Sequence, residues 1–182
     1  LLVSVVVALG LAAAAGCKRS RHARVSTFTP PLLQAGYVER TGAGWRIAVP
    51  STWKPTAQKG PAAWSAADPQ PVDDFHANVN VFVEPFTGES YDYARANEAA
   101  LRREPRAVVE IVRDEVVDAD PTLVLESHWA PAPASSVAYK TMQSALASRG
   151  SGYVVTCSVA ASAFERYRST CDAMVRSFAV ER

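Results

Sequence analysis

Apolar and polar residues alternate along several short segments of the chain, a pattern typical of β-strands that bury one face. The clearest case lies between Asn78 and Val83, where three valines share one face and two asparagines share the other. Segments 41–44 and 149–152 are rich in glycine and predict turns, whereas the prolines and aspartates of 68–74 predict a loop. Strands are therefore predicted at 37–40, 45–49, 62–66, 78–83, 108–117, 123–129, 137–148 and 153–160.

Two segments carry helical periodicity instead. The first begins at Ser90, a residue suited to an N-cap, and runs to Glu104, where Pro105 ends it. The second begins at Ser162, and Glu165 three residues later predicts a capping box. The buried stripe of the second helix is predicted to contain Phe164, Tyr167, Cys171, Met174, Val175 and Phe178. Consecutive hairpins with two segregated helices predict an α+β domain built on a mainly antiparallel sheet.

The first 16 residues form an uninterrupted apolar and small-residue run that ends at Cys17 and is followed by basic residues. Such a run is typical of a secretory signal. The cysteine directly after Ala14, Ala15 and Gly16 resembles the lipobox of bacterial lipoproteins. That resemblance implies that residues 1–16 are removed and that Cys17 becomes the lipidated first residue. A cleaved signal without lipid remains an alternative, as does a membrane anchor, although a spanning helix needs about 20 apolar residues.

The charge of the chain is unevenly distributed. Lys18, Arg19, Arg21 and Arg24 account for four of the 19 basic residues, so the rest of the chain carries 15 basic and 18 acidic residues. Nucleic-acid binding is disfavoured, because phosphate contacts need clustered basic side chains. The basic stretch instead adjoins the expected lipid, where it favours an anionic membrane surface, or serves as a solvated tether. Segment 17–36 is accordingly interpreted as the lipidated cysteine and its tether.

The other two cysteines are expected to form a disulfide. Cys157 lies on the inward face of a predicted strand, and Cys171 lies on the inward stripe of the last helix. Measured from the chain reversal near Ala161, strand rise and helical rise bring both thiols to the same level, about 13 Å away. An oxidising compartment would join them. The alternative is two buried free cysteines that pack as small hydrophobes.

Catalytic and metal-binding signatures are weak in this sequence. His76 and His128 are each a candidate base, but neither has a partner nearby in sequence. Asp73 and Asp74 beside His76, or the aspartates of 118–120, are candidate metal ligands, although turn carboxylates more often bond to the backbone. No nucleophile elbow, zinc-protease motif or phosphate loop is found in the sequence. We therefore expect no catalytic residue, no metal and no cofactor.

The tryptophans are the remaining candidates for a binding site. Large aromatic side chains line ligand grooves but are more often part of a core. Core packing is favoured here, and a ligand groove is the alternative. The four residues concerned are Trp45, Trp53, Trp64 and Trp129.

The order of these segments resembles that of PsbP-like domains. The segments that carry the resemblance are GWRIAVPSTW, NVNVFVEPF, YDYARANEAALRRE, SGYVVTCSV and the closing MVRSF. The domain is expected to span 37–182. The resemblance, which includes the LpqN type of lipoprotein, implies a curved, mainly antiparallel sheet flanked by helices. It also implies a non-enzymatic role.

The apolar segment before Cys17 and the resemblance to PsbP-like domains together indicate a function. We expect a lipid-anchored, extracytoplasmic accessory protein of the cell envelope, attached to the membrane through its anchor. A protein partner is expected, and nucleic acid is not. A small-molecule-binding lipoprotein that uses the tryptophan groove is the main alternative, with a hydrolase behind it.

Overall fold

The structure, a computed structural model, describes residues 35–57, 62–132 and 136–181. Interpretations that concern residues 1–34, including the signal, Cys17 and most of the tether, lie outside these ranges. Two α-helices, α1 (Ser90–Leu101) and α2 (Phe164–Ser177), are described, the second preceded by a 3-10 turn at Ala161–Ala163. The strands are β1 (Tyr37–Gly42), β2 (Trp45–Pro50), β3 (Lys54–Pro55), β4 (Ala62–Val72), β5 (Phe75–Pro85), β6 (Ala107–Val117), β7 (Asp120–Trp129), β8 (Tyr139–Ser148), β9 (Ser151–Ala160) and β10 (Ala179–Val180).

The strands form two sheets. The smaller has the order β1-β2-β10, and the larger has the order β3-β4-β5-β9-β8-β7-β6. Every neighbouring pair within the described residues is antiparallel. The prediction of an α+β domain with a mainly antiparallel sheet is therefore confirmed.

Each face of the large sheet has its own hydrophobic cluster. Helix α2 packs on β8, β9 and β2, whereas α1 packs on β8, β7 and β6. We call the two sides the α2 face and the α1 face. The α2 face includes Val79, Met142 and Val155, and the α1 face includes Leu125 and Ala145. Burial on both sides makes the large sheet the middle layer of the domain.

Tight hairpins join the strands of the large sheet. Residues 73–74, 118–119 and 149–150 all have positive φ and connect directly paired strands. Positive φ at both central positions is the mark of the turns that fit the twist of a hairpin. The turn at 149–150 confirms the turn predicted for 149–152.

The predicted loop at 68–74 is wrong, because β4 continues to Val72 and only Asp73 and Asp74 form the turn. The prolines are tolerated because β3 pairs with Ala66 and Ala67, so no described strand pairs with residues 68–72 on that side. The pairing with β5 is also irregular between Ala67 and Pro71. Edges and bulges are the positions in a sheet that accept proline.

The helix starts differ from the sequence prediction. The N-cap of α1 is Glu89, and the Ser90 hydroxyl instead accepts a hydrogen bond from the backbone N–H of Ala147 at 2.9 Å. The capping box of α2 is absent: the Ser162 hydroxyl donates to Asp73. Tertiary partners therefore take both serines away from the helix ends.

The buried stripe of α2 agrees with the prediction. Phe164, Cys171, Met174 and Val175 are buried, as is the C-cap residue Phe178, whereas Tyr167 of the predicted stripe is only half-buried. A disulfide joins Cys171 to Cys157 on β9, with their Cα atoms 5.5 Å apart. The expected pairing is thus present and ties α2 to the sheet. Neither described helix has the length and apolar character needed to cross a membrane.

Candidate binding surfaces

The four tryptophans do not share a groove. Trp45, Trp53 and Trp64 belong to the α2-face cluster, whereas Trp129 packs on the α1 face under the other helix. Trp64 and Trp129 lie on opposite faces of the large sheet, Trp45 lies on β2 of the small sheet, and Trp53 directly precedes β3. All except Trp64 are more than nine-tenths buried. Trp45 lies 5.7 Å from Trp64 between ring centroids, a core contact. The interpretation of a single tryptophan-lined groove is therefore wrong.

The candidate bases make structural contacts. The His76 ring nitrogen Nδ1 lies 2.8 Å from the backbone oxygen of Asp68. The carboxylate of Asp68 in turn accepts a hydrogen bond of 2.9 Å from Tyr167. Among the described residues no hydrogen bond joins His76 to Ser162 or Asp73. No group of three or more histidine, cysteine or acidic side chains with metal-binding geometry is found in the same part of the chain.

Strand β6 forms one edge of the large sheet and pairs only with β7 within the described residues. The exposed large hydrophobic side chains of the described chain all lie on this strand: Val108 at 65%, Ile111 at 38% and Val112 at 36%. The neighbouring acidic residues Glu110 and Asp114 are exposed as well. An 11-residue edge that exposes apolar side chains presents a ready template for another strand.

A β-bulge turns one residue of this edge toward the α2 face. The pairing of β6 with β7 shifts between Val109 and Ile111, so Glu110 is the extra residue. Its carboxylate accepts a hydrogen bond of 2.7 Å from Lys140 and lies 3.9 Å from His128 Nδ1. The bulge thereby fixes an acidic side chain between two of the exposed apolar positions.

A layer of ion pairs fastens α2 to β6 and β7. Arg168 donates to the buried Glu126 at 2.6 Å, and Arg176 donates to Glu115 through two bonds of 2.9 and 3.0 Å. Arg113 lies 3.8 Å from Glu126. Hydrogen bonds to Glu165 and Glu126 raise the pKa of Arg168 above its ordinary value. Ion pairs with α2 therefore hold strand β6 in place on the α2 face.

A second surface lies on the α1 face, beside the helix. Directly opposite residues on antiparallel strands point to the same face, so the strand register places two adjacent rows of neutral polar side chains on that side. We call these rows the polar floor. One row contains Gln143, Thr156, Asn80 and Ser65, and the other contains Ser127, Thr141, Ser158 and Asn78.

The polar floor is largely buried, and its hydrogen bonding among the described residues is incomplete. All of its side chains are buried except Thr156, which is half-buried. Asn80 donates to Asn78 at 2.8 Å, but the buried Ser127 hydroxyl has no hydrogen-bond partner among the described residues. The side chain of Gln143 makes no hydrogen bond to any described residue. On helix α1, the Nδ2 atom of Asn97 is also buried and has no partner in the described part of the chain.

Stacked aromatic rings border the floor at one end. Trp129 and Tyr139 stack with ring centroids 5.6 Å apart, and Tyr139 stacks at the same distance on Phe75. The guanidinium of Arg106 lies 6.0 Å from the Trp129 ring centroid. Burial raises the pKa of Tyr139. The aromatic rings of Trp129 and Tyr139 therefore adjoin the amides and hydroxyls of the polar floor.

Neither surface was identified from the sequence. The signal for the floor was the alternation of asparagine with valine after Asn78, because those asparagines oppose polar residues of other strands. The sequence signal for the β6 edge is the segment Val108, Glu110 and Ile111. This segment predicts a strand, but it does not show that the strand lies at the edge of the sheet. Both surfaces depend on which strands are neighbours, and that information comes from the fold.

No protein-family model matches the chain, and no curated protein matches it. Among solved structures, the chain is similar to the cyanobacterial PsbP protein, CyanoP, of Synechocystis sp. PCC 6803. The TM-score is 0.56 over 86% of this chain and 99% of that one, at 16% identity. It is also similar to LpqN of Mycobacterium tuberculosis, a protein involved in cell envelope biogenesis. That TM-score is 0.61 over 80% of this chain and 90% of that one, at 11% identity.

A middle sheet with one helix on each face, the edge strand β6 and a buried polar floor define an α+β domain. The domain has the PsbP-like fold, in the arrangement also found in LpqN. The resemblance seen in the sequence is confirmed at the level of the fold.

Proposed function

We propose that this chain is a lipid-anchored, extracytoplasmic accessory protein without catalytic activity, which binds a protein partner in the cell envelope through strand β6. The apolar run before Cys17 supports the anchor, and the buried disulfide supports an oxidising compartment. LpqN, which shares the fold, is involved in cell envelope biogenesis, which supports an envelope role. A single acyl chain binds membranes only marginally, so we expect more than one chain on Cys17.

The observation that carries the partner proposal is the concentration of exposed apolar side chains on one sheet edge. Val108, Ile111 and Val112 lie within five consecutive residues of β6. A partner strand added along this edge would gain main-chain hydrogen bonds and would cover these three side chains.

The acidic residues of the edge oppose pairing between two copies of this chain in the register centred on Val112. A symmetric antiparallel pair centred on Val112 would place Glu110 directly opposite Asp114 of the other copy. Like charges in directly opposed positions destabilise a strand pair. A different protein, rather than a second copy, is therefore the proposed occupant.

The anchor is tested by replacing Cys17 with serine. We expect Cys17→Ser to move the protein from the membrane fraction to the soluble or signal-retaining fraction and to abolish labelling by a fatty-acid analogue, because the acylated thiol is gone. Fractionation and metabolic labelling in the host measure both effects. As a positional control, a cysteine restored by Ser20→Cys in the Cys17→Ser background should not recover the label. Unlabelled wild-type protein would contradict the anchor.

The partner surface is tested by photo-crosslinking in intact cells. We expect p-benzoylphenylalanine in place of Val108 to give a discrete heavier adduct with another envelope protein, because this side chain is 65% exposed on the free edge. The matched control places the same probe at Glu39, an exposed position of β1, the edge strand of the small sheet. Ile111→Asp should reduce the adduct formed at position 108. Equal adducts from both positions, or none, would refute the β6 surface.

A further inference from the structure

The two ends of the large sheet are protected unequally against pairing with another strand. At one end the edge strand β3 has only two residues, and β4 next to it contains prolines at positions 69 and 71. Short edge strands and prolines are features that prevent a further strand from adding to a sheet. At the other end β6 has 11 residues and contains neither proline nor lysine. The charges along β6 therefore determine which strands can pair with it.

The regular part of the β6 edge begins after the bulge and runs from residue 111 to residue 117. Its row on the α1 face consists of Val112, Asp114 and Val116, because residues 112 and 114 lie opposite two leucines of the α1-face cluster and side chains alternate along a strand. We call these three residues the edge row. Val112 and Asp114 are exposed, and Val116 is half-buried.

Asp114 is the charged centre of the edge row. Its carboxylate accepts a hydrogen bond of 3.0 Å from the hydroxyl of Tyr91, a neutral donor on α1. Glu110 and Glu115 of the same strand each have a basic partner, at 2.7 and 2.9 Å, whereas no basic side chain of the described residues forms an ion pair with Asp114. The edge row therefore presents an exposed carboxylate, without a counter-charge in the described chain, between two valines.

We propose that the occupant of the β6 edge is a strand that carries a lysine or arginine with an apolar residue two positions before it and another two positions after it. This inference rests on the partner proposal for β6 and specifies the chemistry of that partner. Pairs of opposite charge, and apolar pairs, stabilise neighbouring strands when they are directly opposed. The basic side chain would pair with Asp114, and its apolar neighbours would cover Val112 and Val116. Because the edge row is symmetric about Asp114, the same sequence pattern fits in either strand direction.

The carboxylate of Asp114 also disfavours other strands. An acidic residue directly opposite it would be destabilised by the like charge. An apolar residue in that position would remove water from the carboxylate without supplying a partner for it. Specific interfaces combine attraction of the right partner with such penalties against the wrong ones. The edge row therefore selects basic strands from among all those that could add to a sheet.

The test measures the binding of short peptides to the full-length protein, labelled with ¹⁵N and solubilised in a neutral detergent. The probe is an acetylated and amidated heptapeptide of threonines, with valine, lysine and valine at its second, fourth and sixth positions. The control peptide has glutamate in place of the lysine. We expect the lysine peptide to shift the backbone amide signals of residues 111–117, and the glutamate peptide to leave them unchanged.

Charge substitutions at Asp114 identify the side chain that selects the peptide. Asp114→Asn should weaken binding of the lysine peptide about threefold, the size of one exposed cross-strand charge pair. Asp114→Lys should reverse the preference, so that the glutamate peptide binds more tightly than the lysine peptide. The matched control, Glu39→Lys, makes the same change of charge at an exposed position of β1 and should keep the preference for lysine.

Failure of this inference is distinguishable from failure of the partner proposal. Absence of any shift with the lysine peptide would overturn the inference, as would equal shifts with both peptides or a lysine preference that persists in Asp114→Lys. In each of these cases an adduct formed through Val108 would still support a partner on β6. Absence of that adduct would refute the partner surface itself.

Discussion

Replacing Cys157 or Cys171 by alanine will lower the free energy of unfolding by about 3 kcal/mol under oxidising conditions. The bond links β9 to α2 across 14 residues of sequence, and both side chains are fully buried. Without the bond, the unfolded chain gains conformational entropy, and α2 loses its covalent link to the sheet. Urea unfolding followed by circular dichroism measures the loss.

The double variant Cys157→Ala/Cys171→Ala is the control for this prediction. One substitution already breaks the bond, so the second should add only the small packing cost of a shortened side chain. A reducing agent should shift the wild type toward the variants and leave the double variant unchanged. Identical unfolding midpoints for oxidised and reduced wild type would refute a stabilising role for the bond.

Replacing Glu126 by glutamine will lower the free energy of unfolding by about 2 kcal/mol. The Glu126 side chain is 2% exposed and accepts a hydrogen bond of 2.6 Å from Arg168, with Arg113 at 3.8 Å. Removing its charge leaves two guanidinium groups without their buried partner between α2 and β7. Both arginines remain about one-third exposed, and solvation by water keeps the loss below that of a fully buried pair. Denaturant unfolding measures the change.

Glu165→Gln is the matched control, because Glu165 bonds to the same arginine from a side chain that is 76% exposed. Surface ion pairs contribute little to stability. We therefore expect the unfolding midpoint of Glu165→Gln to equal that of the wild type. If both glutamine variants lost the same stability, burial would not be what distinguishes the two carboxylates.

The elements predicted best are those in which the apolar positions of the sequence are the positions that the fold buries. The stripe of α2 from Phe164 to Phe178 is apolar because the sheet covers it, so periodicity alone located it. The alternation in β5 and the glycine-containing turn between β8 and β9 were recognised for the same reason. Local chemistry and tertiary structure agree at these places.

The failures occur where a tertiary partner overrides a local preference. Prolines at 69 and 71 indicate a loop by themselves, yet β4 passes through them because no strand of the described chain pairs with that part of its outer side. Ser90 and Ser162 are good caps by residue type, but their hydroxyls bond to Ala147 and Asp73, which are distant in sequence. No sequence window contains those partners.

The candidate surfaces were beyond the reach of the sequence for a related reason. The polar floor exists only because the register sets Asn80 opposite Thr156 and Thr156 opposite Gln143. The tryptophan groove failed by the same rule, since residue type does not reveal which side of the sheet Trp129 faces. Cross-strand register, rather than composition, determines both outcomes.

The large sheet consists of two stretches of consecutive strands, β3–β5 and β6–β9, which meet along β5 and β9. Within each stretch, neighbours in space are neighbours in sequence, so short hairpins suffice to build it. The seam between them joins Pro85 to Ser151 and Val79 to Cys157, and must close a long span of chain. Closing such spans is what slows folding. We therefore expect the pairing of β5 with β9 to form late in folding, after the hairpins on either side of it.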